Sequence, residues 1–302
     1  MRIQHLYLLL SIAHTGSLRA AAQALNVTQP ALTKSLKQLE QELGTSLVTR
    51  NSTGARLAPA GEMLAARAAT ILREIERAKE EIQWHSAHTT ATVTVGVSPA
   101  AALMLAPKAL ARFQARWPQV RLRMVDALYP TALAQLRSGE LDFALGPLPG
   151  TGLGRDIEAK AFLDSPQVIA TRASHPQAHS QQLADLRGAR WVVTGPTKGP
   201  GDPANLELER WGLPGPDICL ECASFSTLLA VLPEMNALAL MPTRFFETHG
   251  RHAGLVALPI ADALPLTTIN RFVRTDAPLS LPAQRLLDAF EHEAKQLRRL
   301  RQ

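Results

Sequence analysis

Between Gln29 and Leu43 four leucines, Leu32, Leu36, Leu39 and Leu43, recur at steps of four, three and four. On an α-helix that spacing gathers them within an arc of about 60°, so the segment is a helix with one apolar stripe to bury. The opposite side is not neutral. Measured around the helix from Gln29, Thr33 lies at about 40°, Lys37 at about 80°, Pro30 at about 100° and Lys34 at about 140°. This outward arc is short, polar and cationic, and it sits near the helix N-terminus. Thr28 stands where a cap belongs, and Pro30 falls in the first turn, where a missing N–H costs nothing. Two shorter helices lead up to it. Leu6, Leu9, Leu10 and Ala13 fall at helical spacing and stop at Gly16; Ser17 then caps a helix with the stripe Leu18, Ala21, Ala22, Leu25. Asn26-Val27 forms the turn between this helix and the third. The order predicts a helix-turn-helix.

After Gly44, Leu47–Arg50 and Arg56–Ala58 read as two short strands around the turn residues Asn51-Ser52-Thr53-Gly54. A hairpin with arginine at both bases, directly after a polar helix, has the form of a wing. Residues 1–59 hold six Lys/Arg against two acids, a local surplus that points to a polyanion. Gln29 and Lys34 suit base edges in a major groove, with Ser17, Thr28, Pro30, Thr33 and Lys37 around them, while Arg50 and Arg56 suit phosphates or a minor groove. The competing reading is a solvated face on a plain three-helix domain.

From Ala60 to Trp84 apolar residues fall at Leu64, Ala68, Ile71, Ile75, Ala78 and Ile82, the alternating four-three step of a heptad seam. Most of the remaining surface is charged, so a self-pairing linker helix is expected in preference to a helix packed on its own domain. His85–Thr90 follows as a hinge. Beyond it the pattern becomes α/β. Strands are expected at 92–97, 120–125, 141–145, 168–170, 191–194, 218–222, 238–241, 255–258 and 267–273. The expected helices cover 101–116, 129–138 and a final run from Ser280. The alternation predicts a largely parallel sheet with ligands beyond the strand ends.

The bulk numbers agree with two domains and a linker. The chain has 302 residues, 46% hydrophobic and 19% charged, and a net charge of +6. Two cysteines cannot build a disulfide framework, which points to a reducing cytoplasm. Arg2 followed by Leu6–Ala13 imitates a signal peptide, but the run is short and continues as patterned helix. No run reaches membrane-spanning length.

The motifs themselves resemble the LysR-type family of transcription regulators. The likeness is carried by Gly16-Ser17-Leu18-Arg19-Ala20-Ala21-Ala22, Leu25, Gln29-Pro30-Ala31-Leu32-Thr33, Leu39-Glu40, Leu43-Gly44, Leu47, Arg50 and Leu57-Ala58-Pro59-Ala60-Gly61. Thr33, Val48 and Ala58 depart mildly from the usual Ser, Phe and Thr, and Thr33 keeps the hydroxyl. Leu136-Arg137-Ser138-Gly139 and Leu141–Leu145 continue the likeness. Within the family, the regulators of toluenesulfonate degradation are the nearest likeness. It rests on Ser98-Pro99-Ala100, Asp126, Tyr129-Pro130, Gly199-Pro200-Gly201, Gly212-Leu213-Pro214, Cys222 and Ser224-Phe225.

The resemblance implies an α/β protein overall: a mostly α winged helix-turn-helix (1–59), a linker helix and hinge (60–90), and a two-lobed effector domain (91–302) like periplasmic binding proteins. Lobe one would be 91–162 with 266–302, and lobe two 163–265. It also implies double-stranded operator DNA, a small effector, a dimer and more readily a tetramer, with RNA polymerase a further candidate partner. Effector candidates are Ser98, Pro99, Ala100 and Gly146 in lobe one and Thr194 and Lys198 in lobe two, with Tyr129 and Phe225 packing a ring. Ser98 and Thr194 follow strands, where helix N-termini and hydroxyls favour a carboxylate or sulfonate; as plain helix caps they would look the same.

Catalysis finds little support. Cys219-Leu220-Glu221-Cys222 has redox or zinc spacing, but it lies in a strand and lacks a second pair of ligands. Gly150–Gly154 misses the spacing of a nucleotide loop. Neither an enzyme, a metal site nor a cofactor is expected. A solute-binding receptor without DNA binding is the alternative, and it would need neither wing nor heptad helix.

Overall fold

A computed structural model describes all residues except 52–53, 86–90, 127–129, 150–151, 196–198, 200, 223 and 300–302. The chain divides into two compact units, Met1–Thr89 with Arg137–Glu140, and Thr90–Leu136 with Leu141–Gln302.

The first unit opens with α1 (Ile3–Thr15), α2 (Leu18–Ala24) and α3 (Gln29–Leu43). Gly16 and Gly44 end α1 and α3 in the left-handed conformation, at φ 65° and 67°, where a Cβ costs about 1–2 kcal/mol. Ser17 Oγ accepts from the Ala20 N–H and Thr28 Oγ1 from the Ala31 N–H, both at 3.4 Å; each cap contributes about 1 kcal/mol. Leu9, Ile12, Leu18, Ala21, Leu32, Leu36 and Leu39 form the centre of the core. Two expected core residues lie outside it. Ala13 is exposed, its place taken by Ile12, and Leu43 is 43% exposed because it is the last helical residue, beyond the packed cluster.

Strands β1 (Val48–Asn51) and β2 (Gly54–Leu57) pair antiparallel, Val48 opposite Leu57. The Ala55 N–H donates to Gly16 O at 2.9 Å, and a Cβ on Gly54 would lie 2.5 Å from that same oxygen. Only glycine lets the hairpin lie this close to the α1–α2 turn.

Helix α4 (Pro59–His85) packs on α1 through Ala68 and Leu72, against Leu6 and Leu10. The expected seam is therefore divided. Ala68 is buried and Leu64 and Ile75 half-buried, while Ile71 and Ile82 are 41% and 68% exposed and Ala78 is exposed too. The flank facing α1 is centred near Leu72, about 80° from the middle of the seam, so α1 covers one shoulder of the stripe and leaves the other bare.

The second unit contains β3 (Thr92–Val97), β4 (Arg121–Asp126), β5 (Phe143–Pro147), β6 (Ile157–Arg172), β7 (Arg190–Thr194), β8 (Asp217–Cys222), β9 (Ala239–Pro242), β10 (Leu255–Ala257) and β11 (Leu266–Arg274). Its helices are α5 (Pro99–Met104), α6 (Ala106–Arg116), α7 (Thr131–Arg137), α8 (Phe225–Val231), α9 (Thr243–Phe245) and α10 (Leu281–Arg299). One lobe has the strand order β6-β11-β5-β3-β4. The other has β10-β6-β9, joined by the Trp191–Leu238 bridge to β7 and then β8. Strand β6 serves both: Ile157–Pro166 lies on β11 and Gln167–Arg172 on β9 and β10.

Three expectations change here. The sheet is mixed rather than largely parallel. Among the described strand pairs β3–β4, β3–β5 and β7–β8 run parallel, whereas β6, which serves both lobes, and β11 pair antiparallel with their neighbours. The expected helix 101–116 is two helices broken at Leu105, since Pro107 cannot donate to the preceding turn and instead starts α6. Strand β6 runs far beyond 168–170. Pro166, which reads as a strand breaker, sits opposite Leu266 at the end of β11, where the ladder changes partner. Val93, Val95, Phe143 and Leu145 are buried, and α10 covers this face with Phe290, edge-on to Phe143 at 6.0 Å between ring centres.

Candidate functional site

Two groups of candidate residues are built in different ways. In the first unit Gln29, Pro30, Lys34 and Lys37 are exposed and Thr33 is half-buried, on the side of α3 away from Leu32, Leu36 and Leu39. Ser17 caps α2 and Thr28 caps α3, each from the turn before its own helix. Their oxygens engage backbone N–H groups, so the N-terminus of α3 is held in shape while its outer side chains stay available. Arg56 on β2 is exposed; the side chain of Arg50 lies outside the described residues.

Sequence reasoning missed Glu40 as the group that positions the wing. Its Oε1 accepts from the Leu47 N–H at 2.8 Å, the Val48 N–H at 3.3 Å and the Ser46 hydroxyl at 3.2 Å. One carboxylate of α3 thus fixes the root of β1. The available signal was an acid in an otherwise basic domain, one turn before the helix cap.

The described candidates in the second unit are buried or half-buried. Ser98 is 3% exposed at the end of β3. Its N–H donates to Leu145 O at 2.8 Å and its Oγ accepts from the Ala101 N–H at 3.3 Å. The hydroxyl proton is not used by that cap. Pro99 is half-buried and Ala100 buried in the first turn of α5. A Cβ on Gly146 would lie 3.5 Å from Ser98 Cβ, so the bare glycine keeps space beside the hydroxyl. Because α5 is only six residues long, its dipole adds less than a long helix would.

In the other lobe Thr194 is 4% exposed, with Oγ1 3.6 Å from Cys222 Sγ. Gly201 packs on Thr194, where a Cβ would meet Thr194 O at 2.6 Å, and Gly199 O accepts from the Asn205 side chain at 2.7 Å. Phe225 is half-buried, its ring 4.4 Å from that of Phe245, so one face is committed to the lobe's own core. Tyr129 and Lys198 lie outside the described residues.

Cys219 and Cys222 are both free, and their thiols donate to the β7 carbonyls of Trp191 and Val193 at 3.3 and 3.5 Å. Strict alternation along β8 is interrupted by the register shift at Trp191/Val192, which brings both thiols to the same neighbour strand. Among the described residues no group of His, Cys, Asp or Glu is arranged to hold a metal, and no helix is long and apolar enough to cross a membrane.

Comparison with known proteins covers both units. Residues 3–62 match the bacterial regulatory helix-turn-helix protein model of the lysR family, and residues 86–295 match the LysR substrate binding domain. The chain is 29% identical over 296 residues to the uncharacterised helix-turn-helix-type transcriptional regulator YdcI of Escherichia coli K12, covering 96% of this chain and 95% of that one. It is 26% identical over 265 residues to the transcriptional regulator TdcA of the same strain, covering 88% and 84%. In fold it is similar to full-length CbnR in complex with its target DNA, with a TM-score of 0.71, 19% identity, and 97% and 100% of the two chains covered. These relatives are regulators, not enzymes.

Proposed function

This chain belongs to the LysR family of DNA-binding transcriptional regulators with an effector-binding domain, and from that premise we propose how its own residues divide the work. Residues 1–59 contact DNA, 60–90 pair subunits, and 91–302 bind the effector between lobes 91–162 with 266–302 and 163–265. The observation that carries the DNA assignment is the exposed Gln29–Lys37 face of α3, backed by a buried leucine stripe and capped by Thr28. Gln29 and Lys34 read base edges; Lys37, Arg50 and Arg56 hold phosphates.

Pairing uses the bare shoulder of α4, where Ile71, Ala78 and Ile82 repeat at heptad spacing. Strands β4 and β8 end their sheets and carry exposed Met124 and Ile218, which supplies further surface for a tetramer. RNA polymerase is the partner that activation would require. A reducing cytoplasm suits the two free cysteines.

The effector is a small anion with an apolar or aromatic body, a carboxylate or sulfonate of the kind the toluenesulfonate likeness implies. Its head group accepts from the Ser98 hydroxyl and meets the Thr194–Lys198 loop across the cleft. Binding changes the angle between lobes, and only a difference in affinity between two arrangements can drive such a change. Footprinting of selected genomic fragments, with and without a panel of aromatic carboxylates and sulfonates, tests both halves. No protected fragment overturns the DNA assignment, and a footprint that never responds overturns the anion.

A further inference from the structure

Strand β6 changes partners between Pro166, the last residue opposite β11, and Gln167, the first opposite β9. At this crossing the lobes join, and the side chains there are polar yet buried. Ser165 and Gln167 are 1% and 5% exposed, and Asn270 on β11 is 3% exposed. Most of this polarity is satisfied locally. Asn270 Nδ2 donates to Thr268 O, and Thr268 Oγ1 donates to Asp164 Oδ1, both at 2.8 Å. Gln167 Nε2 donates to Thr267 Oγ1 at 3.0 Å, which fixes the amide and turns Oε1 away from that partner. Oε1 is buried and accepts no hydrogen bond from any described residue. A buried carbonyl left without a donor is strongly unfavourable, and native proteins keep few of them.

The position of this oxygen gives it a use. Gln167 lies opposite Pro242, the residue before α9, and α9 packs on both β6 and α5, the helix that Ser98 caps. A second route leads to the same place. Ser98 lies beside Gly146, Gly146 pairs with Asn270, and three residues earlier on β11 is Thr267, which holds the Gln167 amide. The candidate anion site and the orphan acceptor thus belong to one junction between the lobes.

We propose that Gln167 Oε1 accepts a hydrogen bond from a hydroxyl or amino group on the effector, so that the effector is a small anion carrying a donor on its apolar body. The inference rests on the anionic-effector reading above and names the second polar contact of the same molecule. A site that supplies a buried acceptor rejects analogues lacking the donor far more strongly than an apolar pocket rejects an added hydroxyl.

Calorimetric titration of the full-length protein with matched pairs of nearly equal size tests this: 4-hydroxybenzoate against 4-toluate, and 4-hydroxybenzenesulfonate against 4-toluenesulfonate. The hydroxyl member of the bound pair should bind at least about tenfold more tightly to the wild type, as loss of one buried hydrogen bond implies. In Gln167→Met that preference should vanish or reverse. Without any probe, Gln167→Met loses the hydrogen bond to Thr267 together with the unsatisfied oxygen, two opposed effects on stability, so the test is read from the binding preference within each pair. Equal binding of both members of a pair, or a preference that survives in Gln167→Met, overturns the inference and leaves the anion reading standing. If no member of either pair binds, the anion reading fails and this inference with it.

Discussion

The two units hold their candidate residues in opposite ways. On α3 the side chains proposed to meet DNA are exposed and drawn from nine consecutive positions, Gln29 to Lys37, and the helix beneath them is fixed by its own caps. In the effector domain the polar candidates are two buried hydroxyls and one buried amide, Ser98 just after β3, Thr194 at the end of β7 and Gln167 on β6. DNA is a large, fixed polyanion, so a stiff outer face suffices to read it. A small molecule must be desolvated and surrounded, which takes strand ends that meet only after folding. The difference predicts which variants act on one function alone and which also affect stability.

The largest effect belongs to neither site but to what joins copies of the chain. Ile71→Asp with Ile82→Asp changes two residues that are exposed in the single chain, so each unit should keep its melting behaviour. The paired form should be lost, since two carboxylates in an apolar seam each cost several kcal/mol. Operator affinity should then fall by about 10²–10⁴-fold, the range that linking two binding modules provides. Sedimentation at wild-type size would assign pairing to another surface. A collapse of unit stability would show that the bare shoulder of α4 is covered within its own chain.

Next comes direct readout. Gln29→Ala should weaken binding by about 1–3 kcal/mol at one base position and relax preference there. Lys37→Ala and Arg56→Ala should instead weaken all sequences alike and flatten the salt dependence. Neither change touches the core, so melting should hold. Uniform losses for Gln29→Ala across operator variants would remove α3 from base reading.

These contrasts also explain what could be read from the chain alone. Helix α3 was legible to its caps, because a 3.6-residue period, Thr28, Pro30 and Gly44 are all local signals. The division of the α4 stripe was not, since nothing within residues 59–85 says that α1 takes the Leu72 shoulder. The break at Leu105 lay under continuous apolar sequence, and only the preference of Pro107 for a first turn marked it. Of strand β6 only 168–170 was legible; that Pro166 stands where one ladder gives way to another depends on β11, a hundred residues later. Gln167 went unnoticed for the same reason. Its burial depends on both lobes, while a polar residue beside Val168 and Ile169 was the only local hint.

A smaller effect tests the buried site. Ser98→Ala removes both a helix cap and the hydroxyl offered to the anion. Stability should fall by about 1 kcal/mol for the cap, and affinity for the bound aromatic anion by about tenfold, as loss of a charge-assisted hydrogen bond implies. Operator affinity without effector should stay near wild type. Unchanged anion binding alongside the stability loss would make Ser98 a cap and nothing more.

The smallest effect compares the units under acid. Each has a buried histidine whose pKa lies below the ordinary 6.5. For His5 in α1 burial is the main cause, partly offset by Glu42; for His175 burial is reinforced by the nearby Arg172 guanidinium. Each Nδ1 accepts a backbone N–H, from Arg2 at 3.3 Å and from Gln177 at 3.1 Å, an arrangement open only to an unprotonated nitrogen. The unfolded chain therefore binds these protons more readily than the folded one. The stability they contribute is complete above about pH 6.5 and declines as pH falls below it toward each lowered folded value. Unfolding midpoints at pH 7.5 and 5.5 should drop for both units. His5→Gln should reduce the drop in the first unit and His175→Gln in the second. A variant that keeps the full wild-type drop in its own unit would exclude that histidine as the group being protonated.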